Sequence, residues 1–168
     1  MIEHVLFALT LLAALGSGVM AGFFFSFSFV VMQALERLPA AQGIAAMQII
    51  NVVVINRWFL GVFLGTALTC AVLCAATAFM WRIPGAVLLL VGSALYLVGT
   101  FVVTMAFNVP RNNALAAVVP DSTVGASLWS DYLVGWTAWN HVRTAGALGA
   151  TFAFIVALCQ QCRGADAI

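Results

Sequence analysis

Along this chain, apolar residues come in runs too long for a soluble fold, interrupted at only a few places. No charge occurs between Val5 and Leu35, between Leu38 and Asn56, from Trp58 to Trp81, or from Ile83 to Val109. The last run, Trp136 to Cys162, contains one charge, Arg143. A helix needs about 20 mostly apolar residues to cross a bilayer. The stretches 5–35, 58–81, 84–107 and 136–161 are each long enough. The stretch 40–56, entered through Glu36-Arg37-Leu38-Pro39, is too short to span comfortably. The expected fold is all-α: an integral membrane four-helix bundle, one domain over residues 1–168, with an extra interfacial or re-entrant helix between the first two spans. Glu3 and His4 stand where a signal peptide would carry basic residues, so the first run is expected to persist as helix one.

Composition narrows the class further. The chain is 65% hydrophobic and 7% charged, against roughly a quarter charged in soluble domains. That excludes a solvated globule, and so much apolar surface excludes disorder. Six arginines, five acids and a net charge of +1 leave no basic patch for nucleic acid. Helices in lipid approach through small residues. Ala14, Gly18, Gly22 and Ser26 recur every four residues on helix one, Gly61 and Gly65 on helix two, and Gly146 and Ala150 on helix four, while Gly85, Gly92 and Gly99 follow a heptad on helix three. Each set predicts a packing seam. The arginines in the connections do not fix the orientation. Arg82 and Arg163 oppose Arg37, Arg57 and Arg111, and any arginine that serves a site drops out of the count.

Polar residues cluster once the topology is drawn. Asn51, Asn56 and Arg57 precede helix two. Asn108, Arg111, Asn112 and Asn113 close helix three around Pro110. Asp131 and Tyr132 precede helix four, which opens with Trp136, Trp139, Asn140, His141 and Arg143. In an up-down bundle these ends share one membrane face, and the opposite face holds only Glu3, His4, Arg82, Arg163 and Asp166. At about 100° per residue, Tyr132, Trp136, Trp139, Asn140 and Arg143 share one arc of a helix, with His141 on a neighbouring face. Charged groups within a span usually face a bundle interior or a cavity. Structural readings stand beside that one: Trp136 and Trp139 as belt residues, Arg143 snorkelling to headgroups, and Asn140 with His141 in an interhelix hydrogen bond. Proline disfavours helix in the residue before it, so helix three is expected to end near Phe107, and capping of its last carbonyls is the structural alternative to a site role for Asn108, Asn112 and Asn113.

The other chemistry-bearing residues are dispersed. His4 and His141 fall at opposite ends, so they cannot be paired ligands in one subunit. Cys159-x-x-Cys162 ends an apolar helix with no second ligand pair, and Cys70 and Cys74 sit midway along another. No metal site and no tightly held cofactor is expected.

Five pieces of the sequence resemble the anthrone oxygenase-like family of small membrane proteins. They are Gly18 to Met32; Ala46-Met47-Gln48 through Asn51 with Val54-Ile55-Asn56; Gly99-Thr100-Phe101 with Thr104; Asn108-Val109-Pro110 with Asn112; and Trp136 to Thr144. The resemblance extends beyond these pieces, roughly from residue 10 to 158. Gln33, Arg57 and Arg111 depart from the pattern, standing where proline, proline and leucine are expected. The resemblance implies a four-helix membrane bundle. Characterised fungal members oxidise anthrones to anthraquinones with dioxygen, without metal or flavin, and many bacterial members have no assigned substrate.

An anthrone is a flat apolar ring system with a weakly acidic methylene opposite a ketone, and its anion can react directly with dioxygen. An enzyme for it needs an apolar slot, a base, and donors for the oxyanion. His141 is the expected base, histidine being the side chain that exchanges protons near neutrality, with Asp131 in reserve. Asn140, Asn108 and Arg143 are the expected oxyanion donors. Trp136, Trp139, Met47, Asn51, Asn56, Asn112 and Tyr132 are the expected substrate contacts. A cavity between helices two, three and four at this end is what such an enzyme requires. The expected partners are the lipid bilayer and a small hydrophobic aromatic substrate, with dioxygen as co-substrate; self-association into a homo-oligomer stays open. The expected location is a bacterial inner membrane, crossed several times. The competing class is a non-catalytic membrane protein that binds a lipid or quinone or joins a larger complex. A transporter finds least support, since the spans hold no path of ionisable residues and no repeated broken helix.

Overall fold

The computed structural model describes residues 2–81 and 83–165; Arg82 and Asp166, counted above at the polar-poor end, lie outside the described residues. Among the described residues five helices form: α1 (Ile2–Glu36), α2 (Ala40–Val53), α3 (Arg57–Phe79), α4 (Ala86–Ala116) and α5 (Thr123–Ala165). Four of these, all but α2, are long and apolar enough to cross a membrane, so the protein is a multi-pass all-α membrane protein with a shorter apolar helix after the first span. Leu12, Val19, Leu68, Val98 and Phe152 are exposed, as expected where the solvent is lipid.

Local chemistry sets the breaks. Pro39 precedes the first turn of α2. Asn56 caps α3, its Oδ1 accepting from the backbone N–H of Trp58 at 3.0 Å and Phe59 at 3.1 Å. Gly85 starts α4 at φ 82°, a left-handed conformation that glycine adopts without strain. Ser122 accepts from the Gly125 N–H at 2.9 Å at the head of α5.

Two helices depart from the predicted boundaries. α4 does not stop near Phe107: it passes through a π turn at Thr104–Asn108 and continues to Ala116. The Val109 N–H reaches back five residues to the Thr104 carbonyl, which places Pro110 in the first turn of the α segment that follows. There its missing N–H costs nothing. α5 begins at Thr123, not Trp136, and its 43 residues span about 64 Å at ~1.5 Å per residue. That is twice the hydrocarbon thickness, so α5 projects well beyond one membrane face.

The packing seams are half as predicted. Gly92, Gly99 and Gly146 are close-packed, the last with its Cα against Gly99 and the Leu95 carbonyl, and Gly85 abuts Ala157. Gly22, Gly61 and Gly65 instead face open space. On α1 a four-residue repeat turns about 40° per step away from one face, so the series that starts at buried Ala14 ends at exposed Gly22 and Ser26. The α1 face that packs is Ala13, Ser17, Met20 and Phe24.

Two apolar clusters result. One joins α1, α3, α4 and α5 through Met20, Phe24, Phe63, Leu73, Leu89, Tyr96 and Phe154. The other joins the end of α1, α2, the end of α4 and the start of α5 through Met32, Leu35, Ile44, Met47, Leu115, Trp129, Tyr132 and Trp136.

Candidate functional site

Between these clusters sits a buried cation. Arg143 of α5 is 5% exposed, and its guanidinium lies 4.3 Å from the Phe24 ring centre and 4.9 Å from that of Trp136. It is enclosed, not snorkelling. Its Nη2 donates to Asn140 Oδ1 at 2.6 Å and its Nη1 to Thr104 Oγ1 at 3.5 Å. Asn140 Nδ2 donates in turn to the Phe24 carbonyl and to Ser28 Oγ, each at 2.7 Å. Thr100 Oγ1 donates to the Arg143 carbonyl at 3.3 Å. Glu3, Glu36, Asp121 and Asp131 are all exposed, so no carboxylate among the described residues meets this charge.

Three buried polar atoms at this end lack a hydrogen-bond partner among the described residues: Arg143 Nε, Asn108 Oδ1 and Asn51 Nδ2. Such atoms are uncommon in native interiors and ask for a cause. The backbone around them is unusual too. The π turns lie at Phe27–Val31, Leu97–Val102 and Thr104–Asn108. These turns carry Ser28, Thr100, Thr104 and Asn108, all of which hydrogen-bond to α5 in this cluster. π turns recur at functional sites because they re-aim side chains at the expense of regular hydrogen bonding.

The structure sorts the expected residues into three groups. Arg143, Asn140, Asn108 and Trp136 come together. Asn112, Tyr132, Met47 and Asn51 form a layer beside them: Asn112 Oδ1 accepts from the Tyr132 hydroxyl and from Trp136 Nε1, each at 2.8 Å, and Met47 packs with Tyr132 and Trp136. The rest lie outside. His141 is exposed, its ring 5.2 Å from that of Phe29. Asn56 is exposed as the α3 cap, Asp131 is exposed, and Trp139 stacks on Phe107 at 3.6 Å. The asparagines around Pro110 do not cap α4, because the helix does not end there; Asn108 Nδ2 donates to the Trp136 carbonyl at 3.1 Å. Arg111 contacts the Phe107 carbonyl at 2.7 Å.

The cluster is thus built from α1, α4 and α5, with α1 in place of the expected helix two. Phe24, Ser28, Thr100 and Thr104 join the expected site residues. For Ser28, Thr100 and Thr104 the signal in the sequence is faint, hydroxyls on apolar spans at the level of the polar end; Phe24 takes part through its ring and backbone carbonyl, which no residue type announces. At the site the Arg143, Asn140 and Asn108 side chains are buried against their neighbours. An open groove of about 360 Å³, lined by Trp81, Ile83, Gly85, Ala86 and Gln160 among others, belongs to the opposite end. Among the described residues no three His, Cys, Asp or Glu side chains come together as a metal would need.

Fold and site together define a multi-pass membrane protein that holds a buried guanidinium which no carboxylate among the described residues meets. Residues 56–153, more than half of the chain, match the family model described as anthrone oxygenase, and the chain belongs to that family. The match begins at the α3 cap and takes in Asn108, Asn112, Trp136, Asn140 and Arg143, but not the α1 partners Phe24 and Ser28. No curated protein and no solved structure matches the chain.

Proposed function

We propose that this protein is a cofactor-independent membrane oxygenase that binds a flat phenolic, anthrone-like molecule as its anion beside Arg143 and lets that anion react with dioxygen. The observation that carries the reading is a buried arginine that, among the described residues, has no carboxylate to meet it and no partner for its Nε–H. A bound oxyanion supplies the missing charge and the missing acceptor at once, and in a water-poor interior such a donor counts for more than in water. An anionic ring replaces Trp136 or Phe24 against the guanidinium, so one of these rings swings aside when the site is filled.

The reaction balances without another reductant. The methylene loses a proton, and the carbanion passes an electron to dioxygen and couples to give a carbon–oxygen bond. The first proton returns to the distal oxygen of the peroxide anion; the hydroperoxide then loses its remaining C–H proton as the O–O bond breaks, and that proton and the departing hydroxide leave as one water beside the second ketone. His141 takes the first proton when the methylene edge faces the lipid side, where its imidazole packs on Phe29; a substrate already ionised on entry needs no base. The location we propose is a bacterial inner membrane.

A second reading, a non-catalytic binder of a quinone or lipid headgroup, draws on the closed packing around Arg143. Oxygen uptake by purified protein with anthrone separates the two. Arg143→Ala and His141→Ala are the variants to follow: wild-type rates in both would end the enzyme reading, whereas loss in Arg143→Ala alone assigns the catalysis to charge stabilisation.

A further inference from the structure

Asn108 is placed to do the opposite of donating to an oxyanion. It is 1% exposed, and its orientation is fixed by its partner: the Trp136 carbonyl can only accept, so the NH₂ end must point to it, at 3.1 Å. The amide oxygen is left facing away, buried, with no donor among the described residues. One turn earlier on the same helix, Thr104 Oγ1 receives the Arg143 guanidinium. Within this one region the protein therefore presents, among the described residues, an unpaired donor, Arg143 Nε–H, and an unpaired acceptor, Asn108 Oδ1. A molecule that satisfies both carries an acceptor oxygen and also an O–H.

We infer that Asn108 is a specificity residue that reads a phenolic hydroxyl hydrogen on the bound ring, so that the site takes hydroxylated planar aromatics and rejects their methyl ethers. The inference rests on the proposal that the Arg143 cluster binds such a ring. A methoxy oxygen has no hydrogen to give, and it would seal Asn108 Oδ1 into an apolar contact with its acceptor unmade. A site built to bond a hydroxyl discriminates strongly for this reason, while one that merely surrounds it does not.

The test uses a ligand pair that cannot turn over, a dihydroxyanthraquinone whose hydroxyls lie away from the carbonyls and its dimethyl ether. Binding to the full chain in lipid nanodiscs is read by tryptophan quenching. The expected preference for the dihydroxy compound is about 10- to 100-fold in wild type, falling to within about threefold in Asn108→Ala. Equal binding of the two compounds by wild type, no binding of either, or an unchanged ratio in Asn108→Ala overturns the inference. The wild-type ratio decides the matter even if the variant does not fold. Oxygen uptake with anthrone is measured separately: a preserved ratio without uptake sinks the oxygenase reading alone, and uptake with an equal ratio sinks this one alone.

Discussion

Replacing Arg143 by methionine separates what the guanidinium does for the fold from what it does for a ligand. The loss of the 2.6 Å bond leaves Asn140 Oδ1 without its donor, at about 1–3 kcal/mol for a buried acceptor. The stacks on Phe24 and Trp136 at 4.3 and 4.9 Å are worth about 1–2 kcal/mol each when desolvated. Against these, withdrawing a charge from bilayer depth returns about 2.5–3.5 kcal/mol. The methionine refills much of the space with a flexible apolar chain. The cancellation is partial, with the losses exceeding the return by about 2 kcal/mol at mid-range, and Arg143→Met should remain folded though less stable than wild type.

Function should not cancel. A bound oxyanion would lose its one formal positive partner, and removal of a donor of this kind costs about 10²- to 10³-fold in rate. The assay pairs oxygen consumption with anthrone in nanodiscs with thermal unfolding of the same sample followed by circular dichroism. Arg143→Lys keeps the charge but not the planar fork that reaches Asn140 and Thr104 together, and should fall between the two. A folded Arg143→Met protein that consumes oxygen at the wild-type rate refutes the charge argument. A protein that simply fails to fold refutes the cancellation.

The remaining predictions concern the frame and the neighbouring groups. A Cβ at Gly146 would meet the Gly99 and Leu95 backbones at 3.0 Å. Gly146→Ala should therefore lower the unfolding temperature at a cost of about 1–3 kcal/mol, whereas Gly61→Ala and Gly65→Ala, with open space around them, should be neutral or slightly stabilising; equal effects at all three would contradict the helix faces assigned here. Asn112→Ala strands the Tyr132 hydroxyl and the Trp136 indole N–H, and should cost roughly 1–3 kcal/mol per lost bond and change tryptophan emission, while unchanged emission and stability would mean that Asn112 holds neither ring. His141→Ala should leave the fold intact because the residue is exposed, and a destabilisation comparable to that of Asn112→Ala would show the imidazole to be structural.

What the sequence could and could not disclose follows from the range over which each signal acts. Span-length apolar runs depend on local composition alone, and so the four long helices and the short one after Pro39 were legible. The gathering of Asn108, Trp136, Asn140 and Arg143 was legible as well, because up-down topology needs only the order of the ends. Two things were not. The proline stop at Asn108-Val109-Pro110 predicts a helix end by a local steric rule, yet a π turn moves Pro110 into the first turn of a new α segment, where the rule no longer applies. The α1 contribution was hidden because Ser28 and the Phe24 carbonyl become a site only through contacts to Asn140, 112 and 116 residues away in the chain. His141 shows the same limit from the other side. One residue from Asn140, it has the right chemistry, but a single step of about 100° around the helix carries it from the bundle interior to the lipid face. Residue type and depth can be read from a membrane sequence more readily than azimuth, and azimuth is what divides Arg143 and Asn140 from His141.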